Sequence, residues 1–340
     1  MAERIVIIDI LKAFTIILVV LGHCIQYGSG FNYLNNELYF ENWLFKIIYS
    51  FHMPLFMIIS GYLFAHTFNG NGIFTVYKKI KSLVVPMFIW SILLIVKTFI
   101  LSNSIDFSPL NLLSDYLKSS LLRFWFIWAV FWCSCIVILV HKLANDSLIV
   151  YFFLFIITFV IPDAANMALY KYMYPYFVLG YLYKKYYADR LKIIYNNSYV
   201  IIGLCTLYAV LLYFFNYDTY IYTTGHSILG KNVLCQLRID FHRYFIGIIG
   251  SVIMIMLFMK LDGFIKSYKL LTKIGTETMG IYIISTFLNT NLIIPLTFQR
   301  LGLNYIVTIL QAISVIFLSL LIIKFINKDR LLRKLMLGKN

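Results

Sequence analysis

Charged side chains are scarce in this 340-residue sequence, because Asp, Glu, Lys and Arg make up only 13% of it while hydrophobic residues make up 61%. Soluble domains carry about 25% charged and roughly 45–50% apolar residues. A compact soluble fold could not hide this much apolar surface from water, whereas a lipid bilayer can. The composition therefore excludes an ordinary soluble domain and predicts an integral membrane protein.

Cysteines and the local motifs of several enzyme classes are few or absent. The five cysteines show neither a disulfide framework nor the spacing of a metal site. The sequence contains no glycine-rich phosphate loop, no metal-ligand cluster and no nucleophile elbow. We therefore expect no metal and no permanently bound cofactor.

Acidic residues are also few, which leaves a formal net charge of +15. In a soluble protein this charge would suggest a nucleic-acid partner. Here the basic residues lie in short loops between apolar runs, and no basic patch interleaves with aromatic side chains as nucleic-acid binding requires. We therefore expect these residues to contact membrane lipid headgroups and not nucleic acid.

Long apolar runs fill most of the chain. A helix that crosses a bilayer needs about 20 residues, with a range near 17–25, and only the fifth and sixth runs are short. We predict an all-α polytopic membrane protein, a bundle of about ten transmembrane helices, as a single membrane-embedded domain over residues 1–340. The runs are 5–27, 44–66, 82–101, 121–140, 148–161, 172–187, 198–215, 241–260, 272–293 and 304–326.

The placement of Lys and Arg predicts the orientation of the bundle. Both ends and the alternate loops facing them hold nineteen of the 29 basic residues, whereas the other loops and nearby helix ends hold nine. By the positive-inside rule, both termini lie in the cytoplasm and the protein is a multi-pass component of a cell membrane, expected to be a bacterial inner or plasma membrane. Because Asp9 and Lys12 interrupt the first run, we expect no cleaved signal peptide there.

The first helix carries three ionisable residues, Asp9, Lys12 and His23. At about 100° per residue, Lys12 and His23 lie about 20° apart around the helix, and Asp9 shares their face. Ionisable residues inside a bilayer are expensive and are candidates for function. The alternative is a purely structural Asp9–Lys12 pair beside a packing histidine.

The second helix contains Phe51-His52-Met53-Pro54-Leu55-Phe56. Pro54 breaks the hydrogen-bond ladder, so His52 could lie at a cavity beside a kink. Alternatively, His52 satisfies a freed backbone group. Gly61, further along, is expected to allow close approach of another helix.

Lys78 and Lys81 are three residues apart, which places them on one helix face at the predicted cytoplasmic surface. They could bind phosphates as point charges. The alternative is that they only set topology and contact lipid.

Two further candidates lie at the predicted outer side. Trp125 opens the fourth helix and could contact an acceptor, or belong to the aromatic belt found in most membrane proteins. Asp240, His242 and Arg243 begin the eighth helix, where they could contact a polar acceptor or simply cap and anchor the helix.

Taken in order, these motifs resemble the membrane-bound acyltransferase-3 family, particularly its branch of sugar O-acetylases such as fucose 4-O-acetylase. The resemblance covers essentially the whole chain, and its first two blocks are the most specific. The blocks are Arg4-Ile5-Val6-Ile7-Ile8-Asp9-Ile10-Leu11-Lys12 with Val19-Val20-Leu21-Gly22-His23, Phe51-His52-Met53-Pro54-Leu55-Phe56 with Ser60-Gly61-Tyr62-Leu63-Phe64, Lys78-x-x-Lys81 with Pro86, Trp125-Phe126, Tyr174-Pro175-Tyr176-Phe177-Val178-Leu179-Gly180-Tyr181, and residues 275–282.

The sequence departs from the family pattern at a few positions. Lys replaces the Arg often found at position 12 and at both positions of the basic pair. Ser285 stands where many relatives place His or Gln, which argues against proton transfer by the ninth helix here. The hydrolase-like domain fused to some relatives is not expected.

The resemblance implies an O-acyltransferase that moves an acyl group from cytoplasmic acyl-CoA to a hydroxyl of a surface polysaccharide, an O-antigen or a lipid-linked sugar. The expected acyl group is acetyl. Acetyl-CoA would be the donor substrate. A sugar hydroxyl is a poor nucleophile, so a positioned base helps by roughly 10²–10⁴-fold, and the ordinary pKa of histidine suits that task.

The implied roles divide among the candidate residues. His23 acts as general base, or as a transient acetyl carrier, and His52 as proton relay or orienter. Lys12, paired with Asp9 when the site is empty, neutralises charge on CoA. Lys78 and Lys81 attract the CoA phosphates, while Trp125 and Arg243 contact the acceptor.

Two other functions remain open at this point. A transporter or flippase of a small anion or lipid-linked sugar would often show repeated halves with broken helices, and we detect no repeat. A membrane glycan polymerase would be expected to have larger outer loops. Only the enzyme would place acetyl from acetyl-CoA on a glycan.

Overall fold

The regular structure of the protein is helical. The computed structural model describes residues 6–28, 38–101, 109–187, 197–261, 269–289 and 305–339, and no strand occurs among them. In chain order the helices are α1 Val6–Gly28, α2 Leu38–Glu41, α3 Trp43–Thr67, α4 Gly72–Lys79, α5 Val85–Leu101, α6 Pro109–Lys118, α7 Trp125–Ala144, α8 Leu148–Thr158, α9 Met167–Leu182, α10 Ser198–Tyr213, α11 Ile221–Thr224, α12 Val233–Lys260, α13 Lys269–Thr276, α14 Thr278–Asn289, α15 Tyr305–Ile326 and α16 Arg330–Leu337.

Wide π turns join or extend some of these helices. One, Ile80–Val84, links α4 to α5, and two more follow α6 and α9 as Ser119–Arg123 and Tyr183–Tyr187. A single 3₁₀ turn, Tyr217–Thr219, precedes α11.

The helices confirm the prediction of an all-α polytopic membrane protein. Within the described residues, six helical segments are long and apolar enough to cross a membrane. Shorter apolar helices occupy Leu148–Val160, Ser198–Tyr213 and Thr278–Leu288. Every one of the ten predicted runs contains a helix.

Some helices begin earlier than predicted, because they continue through polar residues that were expected to lie in loops. One predicted helix is split in two. The third helix begins at Gly72 and not at 82, since the Asn71 side chain caps it by accepting the Phe74 N–H at 3.1 Å. The eighth begins at Val233 and not at 241, capped by Asn232 through the Cys235 N–H at 3.1 Å. The ninth is split into α13 and α14 at Glu277.

Helices α1 and α3 form the centre of the bundle. Helix α1 packs on α3, α12, α13, α14 and α15, whereas α3 packs on α7, α9, α10 and α12 as well. Because α1 and α3 are surrounded by helices, polar side chains on their facing sides are shielded from lipid. The fold thus places the most polar predicted motifs in the interior.

The close contact between α3 and α9 depends on small residues. A Cβ atom added at Gly61 would overlap the backbone of Phe177, and one added at Gly180 would overlap the backbone of Ile58. Small residues let membrane helices approach closely. The predicted role of Gly61 is confirmed.

Contacts between loops fit the predicted alternation of the helices. Lys185 pairs with Asp146, and Lys260 donates to Ser198 at 3.0 Å, and all four residues are assigned to the cytoplasmic side. Across the bundle, Asn42 donates to the Tyr305 hydroxyl at 2.9 Å on the predicted outer side. The absolute orientation stays a prediction.

Candidate functional site

The polar face of α1 begins with an ion pair. The Lys12 ammonium lies 3.3 Å from the Asp9 carboxylate, and both side chains are largely buried. Helix α13 lies directly on this turn, since a Cβ added at Gly275 would overlap the Asp9 backbone. Tight packing therefore fixes the height of the pair in the bundle.

Lys12 also lies in the wall of an internal cavity of about 130 Å³. Most of the wall is apolar, and its polar groups besides Lys12 are Ser60, Thr278 and Tyr282. The cavity lies among α1, α3, α7 and α14, beside the π turn that joins α4 to α5. Asp9 already balances this cation, so an anionic group entering the cavity would have to share Lys12 with Asp9 or displace it.

His23 lies eleven residues further along α1, about 16 Å from Lys12 along the axis. It is half-buried, and its Nδ1 lies 3.4 Å from the Gln26 side-chain oxygen. The Tyr49 hydroxyl from α3 donates to the same oxygen at 3.5 Å. Since that oxygen can only accept, the hydrogen of neutral His23 is on Nδ1, and Nε2 carries a lone pair.

His52 on α3 is held in the same way. It is buried, and its Nδ1 donates to the Ile48 carbonyl at 2.6 Å. A carbonyl oxygen has no hydrogen, so the neutral ring again carries an unprotonated Nε2. The bonded carbonyl belongs to Ile48, whereas the carbonyl freed by Pro54 is that of Ser50, one i−4 step before the proline.

Tyr49 links the two histidines. Its ring centre is 4.8 Å from that of His52, and its hydroxyl reaches Gln26, the partner of His23. Gln26 and Tyr49 were not among the site residues predicted from the sequence. Gln26 could have been found, because a polar residue three positions after His23 shares its helix face.

The predicted basic pair lies at the surface, outside the cavity. Lys78 and Lys81 are exposed, and their ammonium groups lie 4.2 Å and 4.1 Å from the ring centres of Phe74 and Tyr77. Lys79, which the sequence argument passed over, is half-buried and lies 5.4 Å from the centre of the Phe64 ring. Aromatic faces thus hold all three cations near the end of α4.

Trp125 lies at the first turn of α7, half-buried, with its ring edge-on to Phe126 at 5.9 Å. It packs against the main hydrophobic core, and contact with an acceptor stays a prediction. Trp125 belongs to α7 and is not part of the row of ionisable residues on α1.

The guanidinium group of Arg243 makes its hydrogen bonds to neighbouring protein groups. Its guanidinium pairs with Asp240 at 2.5 Å and donates to the carbonyls of Thr219 and Gly225 at 2.8 Å and 2.9 Å. A further donor reaches the Thr224 hydroxyl at 2.7 Å. These contacts favour the anchoring alternative, in which Arg243 holds the 217–225 loop onto α12, and its contact with an acceptor remains a prediction.

Arg243 belongs to a larger ionic network that the sequence argument did not predict. We call the five residues Asp163, Lys171, His226, Asp240 and Arg243 the outer network. Lys171 pairs with Asp163 at 2.6 Å, and His226 contacts Asp240 at 3.4 Å. Asp240 and Arg243 are three residues apart on one helix, but the loop that contains His226 joins them only through the fold.

The pKa values in the outer loops reflect this network. Burial alone would raise the pKa of Asp163, but the Lys171 ammonium and the backbone N–H groups of Ser227 and His226 outweigh it and lower the pKa. Burial lowers the pKa of His226, and its contact with Asp240 offsets only part of that effect. The outer network is therefore built around an ionised aspartate and a neutral histidine.

The structure thus divides the predicted site. It brings Asp9, Lys12, His23 and His52 to two central, contacting helices, whereas Lys78 and Lys81 lie at one end of the bundle and Trp125 and Arg243 elsewhere. No group of three or more His, Cys, Asp or Glu side chains converges as a metal site would in the part of the chain that is described.

The fold is that of a polytopic membrane protein, and ionisable side chains lie along the facing sides of its two central helices. The family model described as "Acyltransferase domain" matches residues 5–327, and the chain belongs to this family. The family of the sequence-based resemblance is confirmed.

Two curated relatives are similar to this chain, and both bear the name Nodulation protein NolL. That of Sinorhizobium fredii is 31% identical over 221 residues, which is 63% of this chain and 58% of the relative. That of Mesorhizobium japonicum is 30% identical over 223 residues, covering 63% and 57%. The match therefore spans less than two thirds of either relative, and no solved structure matches the chain.

Proposed function

We propose that this protein is an O-acetyltransferase of the membrane, which moves acetyl from cytoplasmic acetyl-CoA to a hydroxyl of a surface polysaccharide, an O-antigen or a lipid-linked sugar. Membership of the acyltransferase family supports the class of reaction. The observation that carries the proposal is the placement of two histidines on the contacting central helices α1 and α3, each positioned by a contact at Nδ1.

In the reaction that we propose, the sugar hydroxyl attacks the thioester carbonyl while Nε2 of His23 takes its proton. The new C–O bond forms the ester, the C–S bond breaks, and the CoA sulfur leaves as a thiolate that recovers the proton from the imidazolium. A base positioned in this way contributes roughly 10²–10⁴-fold. His52, linked to His23 through Tyr49 and Gln26, serves as relay or orienter.

Charge on the donor would be met in two places. Lys78 and Lys81 lie exposed at the predicted cytoplasmic end and attract the phosphates of CoA. Lys12, in the cavity wall, exchanges its partner Asp9 for negative charge on the donor. The distance of about 16 Å from Lys12 to His23 along the helix is one that the extended pantetheine arm can cover.

The acceptor would approach from the other side of the membrane. His23 lies near the predicted outer end of α1, and Trp125 opens α7 on that same side. Arg243 would contribute by holding the 217–225 loop in place. Donor and acceptor could then meet at His23 from opposite faces of the bilayer.

The test is transfer of labelled acetyl by the purified protein in lipid vesicles. With radiolabelled acetyl-CoA and a glycan fraction from cells lacking the protein, we expect label on carbohydrate. His23→Ala should abolish it at unchanged protein level, whereas His141→Ala, on the Asp146 side of the bundle, should not. A transporter or flippase would move substrate without labelling it. If the wild-type protein leaves the glycan unlabelled, the proposal is overturned.

Orientation has its own test. Reporters fused after Asn71, Asn145, Asn196 and Lys269 should read cytoplasmic. Those fused after Asn35, Phe107 and Tyr222 should read extracytoplasmic; of these seven positions, Asn196, Asn35 and Phe107 lie outside the described residues. An inverted pattern at most sites would contradict the cytoplasmic entry of the donor.

A further inference from the structure

A short amphipathic helix, α16, packs beneath the bundle at its predicted cytoplasmic end. The Asp329 carboxylate caps its start by accepting the Leu332 N–H at 2.8 Å, and Gly338, with φ at 62°, ends it through an N–H bond to the Arg333 carbonyl. We call residues 329–339 the α16 segment. An eight-residue helix is not stable by itself in water, so packing must hold it.

Four contacts tie this segment to the bundle. The Trp90 indole donates to the Met336 carbonyl at 2.9 Å, and Leu337 is buried against Gly280. The Lys339 ammonium pairs with Glu277 at 2.5 Å. Finally, Gly338 lies so close to the Ser82 carbonyl that a Cβ there would overlap it.

Two of these anchors are next in sequence to residues that line the cavity beside Lys12. Ser82 directly precedes Leu83, and Glu277 directly precedes Thr278, and both Leu83 and Thr278 line that cavity. The α16 segment therefore contacts the residues that directly precede two members of the cavity wall.

The same segment brings cations to the lysines at the end of α4. Lys334 is exposed and acts electrostatically on the Tyr77 hydroxyl, and Lys81 lies 4.1 Å above the Tyr77 ring. Arg333 is half-buried, and its Nε is enclosed with no hydrogen-bond partner among the described residues.

Little negative charge opposes this group of cations. Among the described residues, two carboxylates lie on or beside the α16 segment: Glu277 is paired with Lys339, and Asp329 caps the helix. Arg333 and Lys334 therefore retain donors for another ligand. Guanidinium groups bind phosphate through paired hydrogen bonds, and lysine binds it as a point charge.

We propose that Arg333 and Lys334 bind the nucleotide phosphates of acyl-CoA, together with Lys78 and Lys81. This inference rests on the proposed function and deepens it. Two distant parts of the chain, α4 with its π turn and the α16 segment, would form one phosphate site at the entrance to the Lys12 cavity. The donor's diphosphate and 3′-phosphate would be held there, while the pantetheine arm passes Lys12 toward His23.

The first experiment is donor kinetics on the full chain in lipid nanodiscs. Arg333→Gln with Lys334→Gln should raise the KM for acetyl-CoA about tenfold or more while kcat stays within about twofold. The matched control is Lys328→Gln, an exposed cation that lies 6.0 Å from the Phe325 ring and outside this group. Arg333→Lys should restore much of the affinity. An unchanged KM in the double variant would overturn the proposal.

A second measurement separates phosphate binding from a structural effect. Wild type should prefer acetyl-CoA over its analogue lacking the 3′-phosphate, and the double variant should lose much of that preference. If both proteins discriminate equally, the α16 segment only supports the fold. Lys334→Gln alone, at an exposed position, should show a smaller loss in a protein of normal stability.

Anionic lipid headgroups carry the same phosphate chemistry. In nanodiscs of phosphatidylcholine alone, and in discs with added phosphatidylglycerol, the effect of the double variant on donor KM should be the same. An effect that appears only with phosphatidylglycerol would assign these cations to lipid and contradict the proposal.

Binding without catalysis keeps this inference separate from the proposed function. Adenosine 3′,5′-bisphosphate should raise the Tm of wild type and of Lys328→Gln, and fail to raise that of the double variant. If these Tm shifts are observed but no acetyl is transferred, the proposed reaction is wrong and the nucleotide site is retained. Active transfer with equal protection of all three proteins would defeat the nucleotide site alone.

Discussion

Two buried polar groups in this protein are built on opposite principles. In the outer network, Arg243 is surrounded by a carboxylate, a hydroxyl and backbone carbonyls, and Lys171 is paired with Asp163. Along α1 and α3, His23 and His52 are each positioned by a contact at Nδ1, and Lys12 borders a cavity. In the first arrangement protein groups surround the charges, whereas in the second a cation lies beside an open volume.

The difference shows how burial of charge should be interpreted in a membrane protein. Both groups contain ionisable residues that would be costly in lipid. We expect a structural role where protein groups surround the charges, and a functional role where ionisable groups border an open volume. Removing a member of the outer network should lower stability. Removing an ionisable residue of α1 or α3 should lower turnover.

Among the residues of α3, the largest effect on turnover is expected at His52. His52→Phe keeps a ring of similar shape but removes Nε2, so acetyl transfer per folded molecule should fall by roughly 10²–10³-fold. Tyr49→Phe, which removes only the hydroxyl that reaches Gln26, should lose much less. Comparable losses in both variants would mean that Tyr49 and His52 act only as one packing unit.

The largest effect on stability is expected at Arg243. Arg243→Gln leaves Asp240 charged and buried, at a cost of about 3–5 kcal/mol, so the protein should accumulate poorly and unfold at a lower temperature. Adding Asp240→Asn should recover part of the lost Tm. If Arg243→Gln unfolds like wild type, the outer network does not stabilise the loop.

Variants of the Asp9–Lys12 pair test whether Lys12 takes part in the reaction or only pairs with Asp9. Lys12→Arg should keep substantial activity, since it retains the charge, whereas Lys12→Ala should lose it. Placing an ammonium in the membrane costs on the order of 3 kcal/mol, which Asp9 partly offsets. Lys12→Ala with Asp9→Ala should therefore recover membrane abundance but not transfer. Restored transfer in that double variant would make Lys12 a mere packing partner.

The smallest effect is a pH dependence of stability from His226. Burial lowers its pKa below the ordinary value of about 6.5, so the unfolded chain binds a proton at a higher pH than the folded protein does. Stability should therefore decrease as pH falls below about 6.5. Tm measured from pH 7 to pH 5 should fall less steeply in His226→Gln, and an equal slope would assign the effect elsewhere.

The sequence predicted what depends on local pattern. Apolar run length revealed the helices, and the spacing of Asp9, Lys12 and His23 correctly placed Asp9 and Lys12 on one face, in contact. It did not reveal the start of α12 at Val233, because buried Gln236 and Asp240 look like residues of a loop until the outer loop covers them.

Contacts between distant segments lay beyond local pattern. The pairing of His226 with Asp240, and of Lys339 with Glu277, depends on how loops fold over the bundle. For the same reason the sequence could not show that Arg243 is saturated while His52 is not. Those facts come only from three-dimensional packing.

One measurement tests the central claim, that reactivity belongs to the α1–α3 face and not to the outer network. Labelled acetyl transfer from acetyl-CoA to glycan would be measured per folded molecule for His23→Gln and His226→Gln in identical vesicles. We expect His23→Gln to lose at least about 100-fold and His226→Gln to stay close to wild type despite a changed Tm. Loss of transfer in His226→Gln with full activity in His23→Gln would contradict the account.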